Sequence, residues 1–137
     1  MFEQSFDLID FKIIAELQRN GDLSNIDLAD KVGLSPSPCL RRVKMLQDAG
    51  IFKNKVTLVD AEKIGLNVSV FVQVTLEKQI EENLTAFEKE IDQRPEVVEC
   101  YLMTGEADYL LRVVVTDLQA YEHFLKDRLT RFPGVLN

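Results

Sequence analysis

Histidine is almost absent: His123 is the single copy in 137 residues. A metal centre or a Ser-His-Asp group needs a ring beside other convergent side chains. His123 stands between Glu122 and Phe124 in a helical pattern, where a surface position is expected, so no catalytic residue and no metal ligand is assigned. Cysteine is scarce as well. Cys39 and Cys100 lie far apart and match no metal or redox spacing. Both read as reduced packing residues, because free cysteine behaves as a small buried hydrophobe. Long apolar runs are missing too. The longest, "VSVFVQVTL", is interrupted by Gln73 and is less than half of the roughly 20 residues a membrane span needs. The N-terminus carries Glu3 and Asp7 instead of a basic-then-apolar pattern, so no signal peptide is expected and the location is predicted to be cytoplasmic.

Positive charge is in deficit, with 16 Lys+Arg against 23 Asp+Glu and a net charge of −7. The deficit is uneven. Residues 1–60 hold 8 cations against 9 anions, whereas residues 61–137 hold 8 against 14. Between positions 35 and 55, Arg41, Arg42, Lys44, Lys53 and Lys55 face a single anion, Asp48. Screening over about 10 Å lets this local field, not the net sign, decide whether a polyanion can bind. Any such partner has to meet residues 35–55. At 46% hydrophobic residues the chain is a folding one, long enough for one ordinary domain or two small ones.

The pattern of the first half is helical. Ile9, Ile13, Ile14 and Leu17 recur at spacings of three and four in "DLIDFKIIAELQRN", which Asp7 or Asp10 can start and Gly21 stops. Ser24 is a good N-cap for "NIDLADKV", with Asp27 at the capping-box offset, and Gly33 ends it where a left-handed residue is wanted. Ser35 can cap a third helix, "PSPCLRRVKMLQD". Its two prolines, Pro36 and Pro38, fall in the first turn, where backbone N–H groups lack intrahelical partners anyway. At 100° per residue, Cys39, Leu40, Val43 and Leu46 share one face, Ser37, Arg41, Lys44 and Asp48 the opposite one, and Arg42 falls on a flank. Two short helices joined by a glycine turn, the second basic outside, predict a helix-turn-helix with Ala29 at the crossing. "IFKNKVTLV" (51–59) then reads as a short strand or hairpin, a wing with Lys53 and Lys55 outward.

DNA contact is therefore expected from Ser24, Asn25, Ser35, Ser37, Pro38, Arg41, Arg42, Lys44, Lys53 and Lys55. Cations neutralise phosphates or reach base edges, while the hydroxyls and the helix starts position the backbone.

After a polar linker at 60–67 the period changes. "VSVFVQVTLE" alternates as a strand, "EENLTAFEKEIDQR" is amphipathic with Leu84, Phe87 and Ile91 on one side, and "EVVECYLMTG" and "DYLLRVVVT" suggest a hairpin about Gly105. "DLQAYEHFLKDRLTRF" is a last helix, capped by Asp117 and stopped by Pro133-Gly134. The fold class is α+β: a winged helix-turn-helix over 1–59, a linker at 60–67 and a ferredoxin-like βαββα unit over 68–137, whose sheet is backed by two helices. Read from its residues, "LMTGEADY" (102–109) is a turn in which Gly105 takes a positive φ and Asp108 bonds the turn backbone.

"SPSPCLRRV" together with "TGEADYLLRV", and with "EKIGLNVSVFVQVTL" and "YEHFLKDRLTRFPGV", resembles the Lrp/AsnC family of transcription regulators along essentially the whole chain. The resemblance implies binding of double-stranded DNA by the first unit, and dimers, often assembled into octamers, through the second. It implies an amino-acid effector held between dimers near Tyr101, Met103, Thr104, Gly105 and Asp108. Exposed N–H groups about Gly105 would hold the α-carboxylate and Asp108 would meet the α-ammonium. Family members continue past "PGV" into a last β-strand beside the first one. Without it, "VSVFVQVTL" is expected to form an open edge. Two other classes compare poorly. A tetrapyrrole decarboxylase, a relative of this family, would use several His and Arg, and a sensing module acting on a protein without DNA leaves the cationic patch unused.

Overall fold

The computed structural model describes residues 5–135, and these fall into two compact units that divide between Leu58 and Val59. In the first, helix α1 spans Leu8–Arg19, α2 Asn25–Val32 and α3 Pro36–Asp48. Asp7 caps α1 in a complete box: its side chain accepts the Asp10 N–H at 2.9 Å, and the Asp10 carboxylate accepts the Asp7 N–H at 3.2 Å. Ser24 caps α2 through the Asp27 N–H at 3.1 Å. Gly33, at φ +77°, closes α2, and the Leu34 N–H returns to the Ala29 carbonyl at 2.9 Å. Ile13, Leu28, Ala29, Val32, Cys39 and Leu46 form the buried core of this unit. It is one helix face from each element, brought together by apolar burial.

Three expectations change here. Ser35 is the N-cap of α3, yet its side chain makes no capping hydrogen bond. The N3 position is Pro38, which has no N–H to donate, so one of the two usual donors to a cap is missing. Leu40 is 57% exposed although it sits beside buried Cys39, because it opens onto a groove also lined by Leu17, Leu28, Val43 and Phe52. Residues 51–59 form no strand or hairpin. Val56 and Leu58 stand in solvent, and among the described residues no strand pairs with this stretch, so no ladder forms.

A 3₁₀ turn at Glu62–Ile64 precedes the second unit's elements. Strand β1 spans Val68–Val74, α4 Glu81–Asp92, β2 Val97–Leu102, β3 Tyr109–Val115 and α5 Leu118–Phe124, the last continuing as a π-helical turn over Leu125–Leu129. The described strands form one antiparallel sheet in the order β1-β3-β2. Because β3 is central, Tyr109, Leu111, Val113 and Val115 are covered on both edges and buried beneath the helices with Val74, Phe87, Ile91, Phe124 and Leu129. Phe87 stacks against Tyr109 at 4.8 Å between ring centroids. The register sets Phe71 opposite Arg112, and Glu99 opposite Arg112 from the other side, on the face away from this core. Among the described strands β1 lies at an edge of the sheet. Past its end the chain returns antiparallel beside it, through a Leu76–Val135 bridge and a Glu77 N–H donated to the Gly134 carbonyl at 2.7 Å. Leu136 and Asn137 lie outside the described residues.

Candidate nucleic-acid interface and effector loop

The proline-started helix α3 presents Ser37, Arg41 and Lys44 to solvent, with Pro38 half-buried at its first turn. Neither Arg41 nor Lys44 makes an ion pair among the described residues. Lys53 and Lys55 are exposed as well, and the Lys55 stem runs over Gly21, with its Cε 3.5 Å from where a Cβ would stand. Four cations of the expected set are thus available to a polyanion.

Arg42 is not. Its Nη1 donates to both carboxylate oxygens of Asp7, at 2.8 and 2.7 Å, and to Asp10 Oδ1 at 3.1 Å. Hydrogen bonding to Arg42, and then to the Asp10 N–H, holds the Asp7 carboxyl below its usual range. Asn25 is also engaged within the fold. Its Nδ2 donates to the Pro36 carbonyl at 2.8 Å, tying the start of α2 to the start of α3. Of the expected DNA-contact residues, Arg42, Asn25 and Ser24 thus have partners within the fold, Ser24 as the cap of α2. Sequence reading placed Arg42 on a flank but carried no local signal for partners more than thirty positions upstream.

In the second unit, the turn of residues 103–108 is closed by the Met103 N–H donating to the Asp108 carbonyl at 2.8 Å, with Gly105 at φ +120°. Tyr101, Thr104 and Gly105 are exposed and Met103 is half-buried. Asp108 is 4% exposed, and its Oδ2 accepts the Leu76 N–H at 2.7 Å. A carboxylate held this way shapes the turn. A groove of about 710 Å³ lies elsewhere, between α4 and β2, lined by Glu88, Lys89, Cys100, Leu102 and Tyr109 among others. Tyr109 donates to Glu88 Oε1 at 2.7 Å, and burial, then Glu88, pushes its phenol pKa up. Nothing in the sequence signalled this groove. His123 lies on the surface of α5, its Nδ1 2.6 Å from Asp127 Oδ2. Among the described residues no three His, Cys, Asp or Glu side chains are grouped to hold a metal. Among the described residues no helix is long and apolar enough to cross a membrane.

Three packed helices, the third started by prolines and cationic outside, define a DNA-binding helix-turn-helix protein. Comparison with known proteins narrows the class. Residues 6–53 match the winged helix-turn-helix DNA-binding model, and residues 69–137 match the Lrp/AsnC ligand binding domain. The Bkd operon transcriptional regulator of Pseudomonas aeruginosa is 49% identical over 129 residues, covering 94% of this chain and 84% of its own. The leucine-responsive regulatory protein of Haemophilus influenzae is 42% identical over 132 residues, covering 96% and 80%. Among solved structures, a transcriptional regulator of Neisseria meningitidis in complex with L-Met superposes with a TM-score of 0.93 at 40% identity, covering 97% of this chain and 86% of that one. The chain belongs to the Lrp/AsnC family of transcription regulators.

Proposed function

We propose that this chain is a cytoplasmic, non-enzymatic regulator whose residues 1–59 read DNA and whose residues 68–137 bind an amino acid and assemble the oligomer, joined by a linker at 60–67. The observation that carries the DNA reading is the pair Arg41 and Lys44, solvent-facing and unpaired among the described residues, on the outer side of α3. Arg41 reaches guanine edges or phosphate through its planar fork and Lys44 neutralises phosphate. Ser35, Ser37 and the first turn at Pro38 approach the backbone, and Lys53 and Lys55 add cations beside the helix. Gel shifts across a salt series test this. Arg41→Ala is expected to weaken binding by roughly 1–3 kcal/mol. Unchanged affinity and salt slope in both Arg41→Ala and Lys44→Ala would remove the assignment.

For the second unit, the Neisseria meningitidis relative's complex with L-Met supports an amino-acid effector. The exposed turn at Thr104 and Gly105 offers N–H groups for an α-carboxylate, with Tyr101 and Met103 as walls. Asp108 serves by holding the turn. The open sheet face favours dimerisation: Phe71, opposite Arg112, is 62% exposed there and Tyr101, opposite Leu110, 53%. Arg112 itself is braced by Ser69 at 3.2 Å and Glu99 at 3.5 Å. A second copy's sheet fits this surface, and such dimers would assemble further to octamers. Calorimetry against the twenty amino acids, with sizing in the presence of any hit, tests the effector and its coupling to assembly, a coupling typically worth 1–3 kcal/mol.

A further inference from the structure

We infer that Arg42 is a positioning residue, which fixes the rotation of the DNA-reading helix α3 against the start of α1 through Asp7 and Asp10 and does not itself touch DNA. The inference rests on the reading of α3 as the helix that meets DNA. One guanidinium nitrogen sits among three carboxylate oxygens, and those carboxylates are the same two that form the α1 capping box. Asp7 Oδ1 serves both ends at once, accepting the Asp10 N–H and the Arg42 Nη1. The first turn of α1 and the middle of α3 are therefore locked to one point. Side-chain packing in the apolar core sets how the helices cross, and the polar cluster adds a second, directional constraint at the flank of α3. Charge-assisted hydrogen bonds are directional, so the cluster resists turning of α3 about its own axis.

Two features separate this from a phosphate contact. To reach a phosphate, Arg42 has to leave both carboxylates, and they would then stand as two uncompensated anions close to a third. Arg41, the adjacent residue, and Lys44 already face solvent without a partner among the described residues. The helix thus divides its cations between gripping DNA and setting its own orientation.

Asp7→Asn discriminates the two roles by sign, because asparagine keeps the N-cap but loses the charge that holds Arg42. The probe is a duplex selected from a random library by the unaltered full-length chain, with a random-sequence duplex as comparison and affinities taken across a KCl series. A positioning role predicts that Asp7→Asn and Arg42→Gln each weaken the selected duplex by roughly tenfold, while random-duplex affinity and salt slope stay unchanged. Arg42→Lys, whose ammonium can still sit among the carboxylates, should recover most of the loss. Circular dichroism of each variant at the assay temperature reports the folded fraction. Unchanged or tighter binding by Asp7→Asn overturns the inference, as does a salt slope that falls by about one in Arg42→Gln. Arg41→Ala separates the inference from the reading beneath it. If Arg41→Ala lowers the slope while Asp7→Asn binds no worse, only the role of Arg42 fails. If Arg41→Ala and Lys44→Ala are both silent, α3 is not the interface and both fail.

Discussion

The Asp108 carboxylate accepts the Leu76 N–H at 2.7 Å, joining the turn before β3 to the residues just past β1. The neighbouring backbone bond runs the opposite way, with the Asp108 N–H donating to the Val74 carbonyl at 2.9 Å. Together they make one side chain the clasp of a loop whose exposed part is Thr104 to Glu106. Replacing Asp108 by Ala leaves the Leu76 N–H without its acceptor. The expected loss is about 1–3 kcal/mol of stability in the second unit, with Asp108→Asn losing less because its amide oxygen still accepts. Urea denaturation of the two variants beside the unaltered chain checks this, and equal losses in both would show that acceptance by the side chain is not what matters.

The two units have separate cores, one centred on Ile13 and the other on Phe87, both fully buried. Ile13→Ala is expected to cost about 2–5 kcal/mol and Phe87→Ala about 3–5 kcal/mol, from lost transfer energy and the cavity left behind. Residue-resolved amide exchange should show the first loss in the helices of residues 8–48 and the second in the sheet and helices of 68–129.

Tyr109 carries the clearest alkaline signature. Burial, reinforced by the Glu88 carboxylate, raises its phenol pKa in the folded chain above the unfolded value of about 10. A raised pKa means the folded state keeps a proton that the unfolded state loses. Its contribution is complete below about pH 10 and declines as pH climbs toward the folded value. Stability measured from pH 9 upward should fall more steeply in the unaltered chain than in Tyr109→Phe. Parallel curves would refute the assignment.

Asp7 behaves in the opposite sense. Its carboxyl is held below the ordinary value by Arg42, so its favourable effect is present above about pH 4 and disappears as acid protonates it in the folded chain. Carboxyl-selective NMR titration should place Asp7 below a typical aspartate, and Arg42→Gln should move it up. A midpoint indifferent to Arg42 would contradict the ion pair.

Much of this was readable from residues in order. Asp7, Ser24, Gly33 and Pro36 set helix starts and stops through local chemistry, and local chemistry survives without knowledge of the rest of the fold. The alternation in "VSVFVQVTL" and the position of Gly105 gave the strand and the turn for the same reason. What escaped depended on distant partners. The Arg42 flank position was visible, whereas Asp7 and Asp10 as its partners were not, because nothing in a helical wheel reports what packs beside it. Leu40 was placed with the core because periodicity marks a face, and it is the width of the neighbouring helices that decides how much of that face is covered. Residues 51–59 read as a short strand or hairpin, but a strand exists only where another backbone accepts its hydrogen bonds. Likewise the groove by Tyr109 joins α4 to β2, two elements whose adjacency no short motif encodes.

The turn at Leu125–Leu129 carries a bond from the Thr130 N–H back to the Leu125 carbonyl at 2.9 Å, the five-residue closure of a widened helix. It lets Phe124 and Leu129 both enter the core although five positions separate them. Shortening the chain by one residue between them would bring the pair to four, the spacing an ordinary α-helix aligns. A deletion there, normally ruinous inside a helix, should leave both anchors seated, so this segment is where length variation costs the second unit least.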